Sequence, residues 1–214
     1  MTEAVVFDLD GVLLDSEQVW DEVREQLVKQ SGGRWHDRAQ TDMMGMSSVE
    51  WSKYMHDQLG LAEAPAEISA EVVQRLEERY RRRLPLIDGA REAVERLAAR
   101  WPLALASSSN REVIDLVLNL SGLAPFFRVT VSSEEVARGK PAPDVYLEAA
   151  RELGVQPESC AAIEDSRNGI RSAKAAAMHV IAIPNPHFPP GDDALALADV
   201  TVRSLTELTP SIVE

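Results

Sequence analysis

The run Ala4-Val5-Val6-Phe7-Asp8-Leu9-Asp10-Gly11-Val12 constrains the fold of this chain more than any other segment. A short apolar stretch of this kind reads as a buried strand, and it runs directly into two carboxylates spaced two apart and then a glycine. Residues i and i+2 of a strand point the same way, so Asp8 and Asp10 are expected on one side wherever strand geometry persists, and Gly11 lets the backbone turn. Two converging carboxylates call for a metal or a shared proton. Hard oxygen ligands suit Mg²⁺, which in proteins usually sits beside phosphate.

An Asp-x-Asp pair is common to several chemistries, so three downstream segments carry the argument further. Leu103-Ala104-Leu105-Ala106-Ser107-Ser108-Ser109-Asn110 reads as a buried strand ending in hydroxyls at the start of a helix, where free backbone N–H groups bind anions. Ser107 would hold a phosphoryl oxygen, and the Ser108 backbone N–H is a second phosphate donor. Gly139-Lys140-Pro141-Ala142-Pro143 sets one lysine in a proline-stiffened loop, where a fixed ammonium can neutralise a phosphoryl group. Cys160-Ala161-Ala162-Ile163-Glu164-Asp165-Ser166 repeats the opening design, a strand ending in two acids, and Asp165 could complete the Mg²⁺ site.

The pattern of elements is interrupted. A first strand at 3–8 is followed by helical sequence before strands and helices alternate regularly from residue 88 onward. Helices are expected from Ser16 to Lys29, from the capping box Ser47-Ser48-Val49-Glu50, and from Ser69 to Leu84. The basic run Arg79 to Arg83 fits the cationic last turn of the third. Beyond lie expected strands at 103–107, 128–131, 160–164, 179–183 and 199–202, with helices at 89–99, 110–120, 143–153 and 167–176. The expected fold is α/β, a doubly wound parallel sheet with an inserted α-helical cap: residues 1–15 and 85–214 form the core and residues 16–84 the cap. All four chemical segments then fall at the C-terminal ends of strands, where open α/β sheets bind ligands.

A net charge of −13 argues against nucleic acid, whose binding is dominated by Lys and Arg contacts to phosphates. An anionic substrate must therefore rely on local positive charge from Mg²⁺, Lys140 and helix N-termini. Cys160 stands alone and reads as a core thiol in a reducing compartment. With no leader pattern and no apolar run of bilayer length, the chain is expected to be cytoplasmic, without a membrane partner, and monomeric or weakly dimeric.

On Asp8-x-Asp10-Gly11-Val12, the Ser107 strand end, Lys140 in Gly-Lys-Pro, and Glu164-Asp165-Ser166 with Gly169, the chain resembles the haloacid dehalogenase superfamily over nearly its whole length. Asp15-Ser16-Glu17, Trp20-Asp21 and the closing Ala198-Asp199-Val200 make it similar, more narrowly, to the bacterial sugar-phosphate phosphatases, among them hexitol and 2-deoxyglucose-6-phosphate phosphatases. The resemblance implies that Asp8 is a nucleophile and Asp10 a general acid and base. Mg²⁺ would be held by Asp8, the Asp10 backbone carbonyl and Asp165, with Glu164 a further ligand or an orienting residue.

The resemblance also implies a cap that presents the loop Met43 to Ser48 to the leaving group, making Glu17, Trp20, Gly45, Met46, Ser47 and Trp51 the candidates for substrate contact. For Trp20 and Trp51, packing between cap helices is the competing role. Mutase-like members carry an arginine near the end of that loop, where this chain has Ser48, and dehalogenases lack the acid matching Asp10. The expected activity is hydrolysis of small phosphorylated metabolites, sugar or polyol phosphates first. A phosphosugar mutase and a non-catalytic phospho-ligand-binding regulator are the alternatives.

Overall fold

Residues Ala4–Phe7, all four buried, form β1 in the computed structural model, which describes residues 1–214. Four helices follow before the next strand: α1 (Glu17–Gln30), α2 (Ala39–Met43), α3 (Ser48–Asp57) and α4 (Pro65–Arg82). The chain then runs α5 (Ala90–Ala98), β2 (Leu103–Ser107), α6 (Arg111–Ser121), β3 (Phe127–Ser132), α7 (Asp144–Leu153), β4 (Cys160–Glu164) and α8 (Arg167–Ala175). It closes with β5 (His179–Ala182), α9 (Asp192–Leu195), β6 (Val200–Thr201) and α10 (Pro210–Val213).

The strands make one sheet in the order β3-β2-β1-β4-β5-β6, with every pairing parallel. Strand periodicity divides its residues by size. Val5, Phe7, Leu103, Leu105, Ile163 and Ile181 fill one face, against the apolar sides of α5 and α6. Ala4, Val6, Ala104, Ala106, Cys160 and Ala162 fill the other, where Tyr146, Ala149 and Ala150 of α7 and Ile170 and Ala173 of α8 pack. Small strand residues meeting small helix residues let α7 approach the sheet closely. Cys160 lies in this layer, and burial pushes its thiol up to about 11, as an inert core residue requires.

The inserted helices share the apolar core of the larger face: Trp20, Leu27, Met43, Trp51, Met55, Val72, Leu76 and Tyr80 are buried in continuity with Phe7 and Leu105. The third expected helix begins earlier than its periodicity indicates, at Pro65 rather than Ser69. Pro65 occupies the first helical position and Glu67 Oε2 accepts from the Ala64 N–H at 3.0 Å, so the acidic Pro-Ala-Glu stretch is the first turn and not a loop. Short helices α2, α9 and α10, of four or five residues, carry too little periodicity to be read from sequence. No helix is long and apolar enough to cross a membrane.

Leu105, wholly buried between β1 and β3, offers a test of this packing. Leu105→Ala should lower unfolding free energy by about 2–5 kcal/mol in urea titrations. A loss well under about 1 kcal/mol would place Leu105 outside the core.

Candidate active site

The sheet changes direction between β1 and β4: β1 connects onward to β2 on one side, and β4 to β5 on the other. Backbone connections leave a crevice at such a point, above the C-terminal ends of the strands. Asp8 follows β1, Ser107 ends β2, Glu164 ends β4 and Asp165 follows it. Lys140 lies between β3 and α7.

Lys140 is the centre of the crevice. Its side chain is 2% exposed, and Nζ donates to Asp8 Oδ1 at 2.8 Å, Glu164 Oε1 at 2.6 Å and Tyr146 Oη at 3.3 Å. All three ammonium hydrogens are thereby taken. Tyr146 Oη itself donates to Glu164 Oε1 at 2.7 Å. Burial would lower the lysine pKa, but the Asp8 and Glu164 carboxylates outweigh it and hold the ammonium above the ordinary lysine range. Burial, relieved in part by Lys140 but reinforced by Glu164 and Asp10, raises the Asp8 carboxyl. Burial together with Glu164 and Asp8 raises Asp165.

Such a concentration of acids has room for a cation. Ligand oxygens of Asp8, Glu164 and Asp165 lie within 4.8 Å of one another. Glu164 is nonetheless committed elsewhere: besides Lys140 and Tyr146 on Oε1, its Oε2 accepts from Asp165 N at 3.0 Å, Ser166 N at 3.2 Å and Ser166 Oγ at 3.2 Å. Asp165 Oδ1, by contrast, is buried without any partner, an acceptor that a hard divalent cation would complete. The donor set therefore fits a divalent metal through Asp8 and Asp165, with Glu164 fixing the loop that carries Asp165. Two glycines make this possible. A Cβ on Gly11, whose φ is +79°, would stand 1.9 Å from Asp165 Oδ2, and one on Gly169 would stand 1.8 Å from Glu164 Oε1.

Asp10 parts company with Asp8. The strand ends at Phe7, and the chain folds into a tight loop in which Gly11 N donates to Leu14 O at 2.7 Å, so the same-side rule no longer applies. The Asp10 carboxylate borders the same cavity but is bonded to neutral donors. Ser16 Oγ at 2.6 Å and Trp20 Nε1 at 3.1 Å donate to Oδ1, and Ser109 Oγ at 2.6 Å donates to Oδ2. Its side chain is not among the three clustered carboxylates, which are those of Asp8, Glu164 and Asp165. Ser107 is wholly buried, its Oγ accepting from Ser109 N at 3.0 Å and standing 3.5 Å from Asp10 Oδ2.

The inserted helices roof a cavity over these groups. Its lining includes Asp8, Asp10, Lys140 and Asp165 below, and Glu17, Trp20, Arg24, Gly45, Met46 and Trp51 above. The loop between α2 and α3 is tied to the core at two adjacent residues, Ser108 Oγ donating to Gly45 O at 2.9 Å and Asn168 Nδ2 to Met44 O at 2.9 Å. Trp20 and Trp51 pack edge to face, with ring centroids 6.0 Å apart, and both also border the cavity. Ser47 lies outside the lining; it caps α3, its Oγ accepting from Glu50 N at 3.4 Å. Glu17 accepts from Gln40 Nε2 at 2.9 Å, and burial, with Asp10 nearby, raises its carboxyl to about 7.

Several site residues escape sequence reading. Ser109 and Ser16 look like ordinary helix-start hydroxyls, Tyr146 like the apolar face of α7, and Arg24 like a surface charge. Asn185, in the loop after β5, is buried with Nδ2 3.4 Å from Asp165 Oδ2. The only hint was positional: Pro184 to Pro190 follows a strand's C-terminal end. Arg24 had one further signal, since it falls four residues after Trp20 and so on the same helix face.

Comparison with known proteins gives the chain's family and fold. Residues 2–177 match the family model of haloacid dehalogenase-like hydrolases, and the chain belongs to that family. Among its relatives is hexitol phosphatase B of Escherichia coli (strain K12), 36% identical over 96% of this chain and 94% of that protein. The structure of CbbY from Rhodobacter sphaeroides in complex with phosphate superposes with a TM-score of 0.82, at 27% identity, over 97% of this chain and 96% of that one. A β-phosphoglucomutase from Clostridium difficile shares the fold at a TM-score of 0.84, with 22% identity, over 99% of this chain and 95% of that one.

Glu17 makes the electrostatics of the roof measurable. Its carboxyl is raised in the folded state from 4.5 to about 7, so below pH 4.5 it is protonated whether the chain is folded or not. Between pH 4.5 and 7 the unfolded chain ionises first, and folding loses stability relative to a variant without that proton. Urea titrations in chelator should therefore show wild type losing ground to Glu17→Gln as pH rises through this window. A constant difference between the two proteins would contradict the assigned environment.

Proposed function

We propose that this chain is a Mg²⁺-dependent phosphomonoester hydrolase of sugar or polyol phosphates that works through an aspartyl phosphate on Asp8, with residues 16–84 acting as its cap. The observation that carries this reading is the parting of the two aspartates. Asp8 sits beside Lys140 in the acid cluster, and Asp10 sits among neutral donors nearer the roof, so one is suited to attack phosphorus and the other to handle protons.

In the first step an Asp8 carboxylate oxygen bonds to phosphorus in line as the bond to the leaving oxygen breaks, and Asp10 gives that oxygen its proton. Water then attacks the phosphoryl group, Asp10 takes the water's proton, and Asp8 is released as carboxylate with inorganic phosphate. Lys140 holds positive charge beside Asp8 throughout, and Ser108, which borders the cavity, would meet a phosphoryl oxygen, while Ser107, wholly buried and outside the lining, would act by holding Ser109 N and Asp10. Bound by Asp8 and Asp165 and the Asp10 carbonyl, with Glu164 orienting, Mg²⁺ supplies charge that offsets repulsion between carboxylate and phosphate. The roof over the cavity excludes bulk water from the ester until the leaving group has gone.

Hexitol phosphatase B, similar along nearly the whole chain, supports a polyol or sugar phosphate as substrate. A mutase must also grip a second phosphate. Ser48 is engaged with the Glu134 carboxylate, which Asn110 Nδ2 also meets at 2.9 Å, so that position offers an anion repulsion where a mutase needs a charged clamp.

Two measurements check the mechanism. Asp8→Asn should lower phosphate release from hexose and hexitol phosphates by on the order of 10³-fold or more, and substantial residual turnover would remove Asp8 as nucleophile. With β-glucose 1-phosphate and catalytic glucose 1,6-bisphosphate, free phosphate should appear faster than glucose 6-phosphate. The opposite order would establish the mutase alternative.

A further inference from the structure

Lys140 and Arg24 are the two cations lining the cavity, and the hydrolytic steps use only the first. Arg24 is 5% exposed, unusual for a guanidinium with no carboxylate in salt-bridge contact. Its carbon Cζ lies 4.5 Å from the Trp20 ring centroid and 4.8 Å from that of Trp51, so two indoles hold it in place. The one side-chain bond it makes is long, Nη1 to Gln40 Oε1 at 3.3 Å, and its Nε is buried without a partner. A buried donor left open beside a substrate cavity marks a place for a ligand acceptor.

Its surroundings say which acceptor. Gln40 bonds Arg24 through Oε1 and Glu17 through Nε2, linking guanidinium and carboxyl on one wall. Asp10 lies on the same side, with Trp20 donating to it. A second phosphate or a carboxylate brought to Arg24 would meet both acids, whereas a hydroxyl can accept from Arg24 and donate to Glu17. We propose that Arg24 selects the leaving group: it hydrogen-bonds a hydroxyl on the neutral polyol tail of a phosphomonoester, and with Glu17 beside it turns away tails that carry a second anion. The proposal rests on the phosphatase reading above and names the part of the substrate that reading leaves open.

The experiment, run at about pH 8.5 where Glu17 is ionised, compares kcat/KM for sorbitol 6-phosphate, p-nitrophenyl phosphate and fructose 1,6-bisphosphate in wild type, Arg24→Met, Arg24→Lys and Glu17→Gln, each checked for folding by circular dichroism. Wild type should prefer sorbitol 6-phosphate to p-nitrophenyl phosphate. Arg24→Met should cut that preference by about 10- to 100-fold, chiefly through KM, as loss of a charged hydrogen bond implies. Arg24→Lys, which keeps the charge but not the fork, should restore part of it and decides the matter if the methionine variant does not fold. Glu17→Gln should raise turnover of the bisphosphate relative to sorbitol 6-phosphate. A preference that survives in both Arg24 variants overturns the Arg24 assignment alone, and an unchanged bisphosphate ratio in Glu17→Gln overturns the exclusion of anions. A wild type that prefers p-nitrophenyl phosphate overturns the polyol reading itself.

Discussion

The bond between the Lys140 ammonium and the carboxylates of Asp8 and Glu164 is the interaction on which the rest of the site depends. Three buried acids within 4.8 Å repel one another, and in a low-dielectric interior that repulsion is severe. One ammonium, with all its hydrogens placed, offsets part of it and leaves Asp165 Oδ1 as the open acceptor. The cluster is therefore structurally tolerable and still short of positive charge. That residual deficit suits a site meant to take up a cation and an anionic ester together.

Placing Lys140 there is a matter of layer packing. The lysine precedes α7, and α7 lies on the sheet face lined by Ala4, Val6, Ala104, Ala106 and Ala162. Larger strand residues on that face would hold α7 farther off and withdraw Tyr146, which faces Glu164 from the same helix. The opposite face carries Phe7, Leu105 and Ile163 and anchors the inserted helices. The asymmetry of residue size across the sheet thus divides labour between catalytic positioning on one side and mechanical support on the other.

The roof works by different physics. Besides the apolar core they share, core and roof meet at the cavity through polar contacts, Ser108 to Gly45 O, Asn168 to Met44 O, Trp20 to Asp10 and Asn110 to Ser69 Oγ at 3.2 Å. Each such bond contributes about 1 kcal/mol and can be exchanged for water. Trp20 reaches the Asp10 carboxylate, so one hydrogen bond links the roof to that aspartate.

The strands and the acid, hydroxyl and lysine motifs that follow them are legible in the sequence, because short apolar runs and glycine turns are local signals. β2 and β4 occupy the ranges their residues indicate, and Ser47 and Glu50 form the expected capping box. Other features were decided only by the tertiary structure. Strand alternation predicts Asp8 and Asp10 on one side, but β1 ends at Phe7 and the turn at Gly11 sends the two carboxylates to different partners. Tyr146 and Asn185 carry no local signal, since their partners Glu164 and Asp165 stand eighteen and twenty positions away, and the i+4 spacing of Arg24 from Trp20 gives no hint of Gln40 or Trp51. Local sequence sets where a chain can be strand or turn, but which charges meet depends on how layers stack, and no short window of residues contains that.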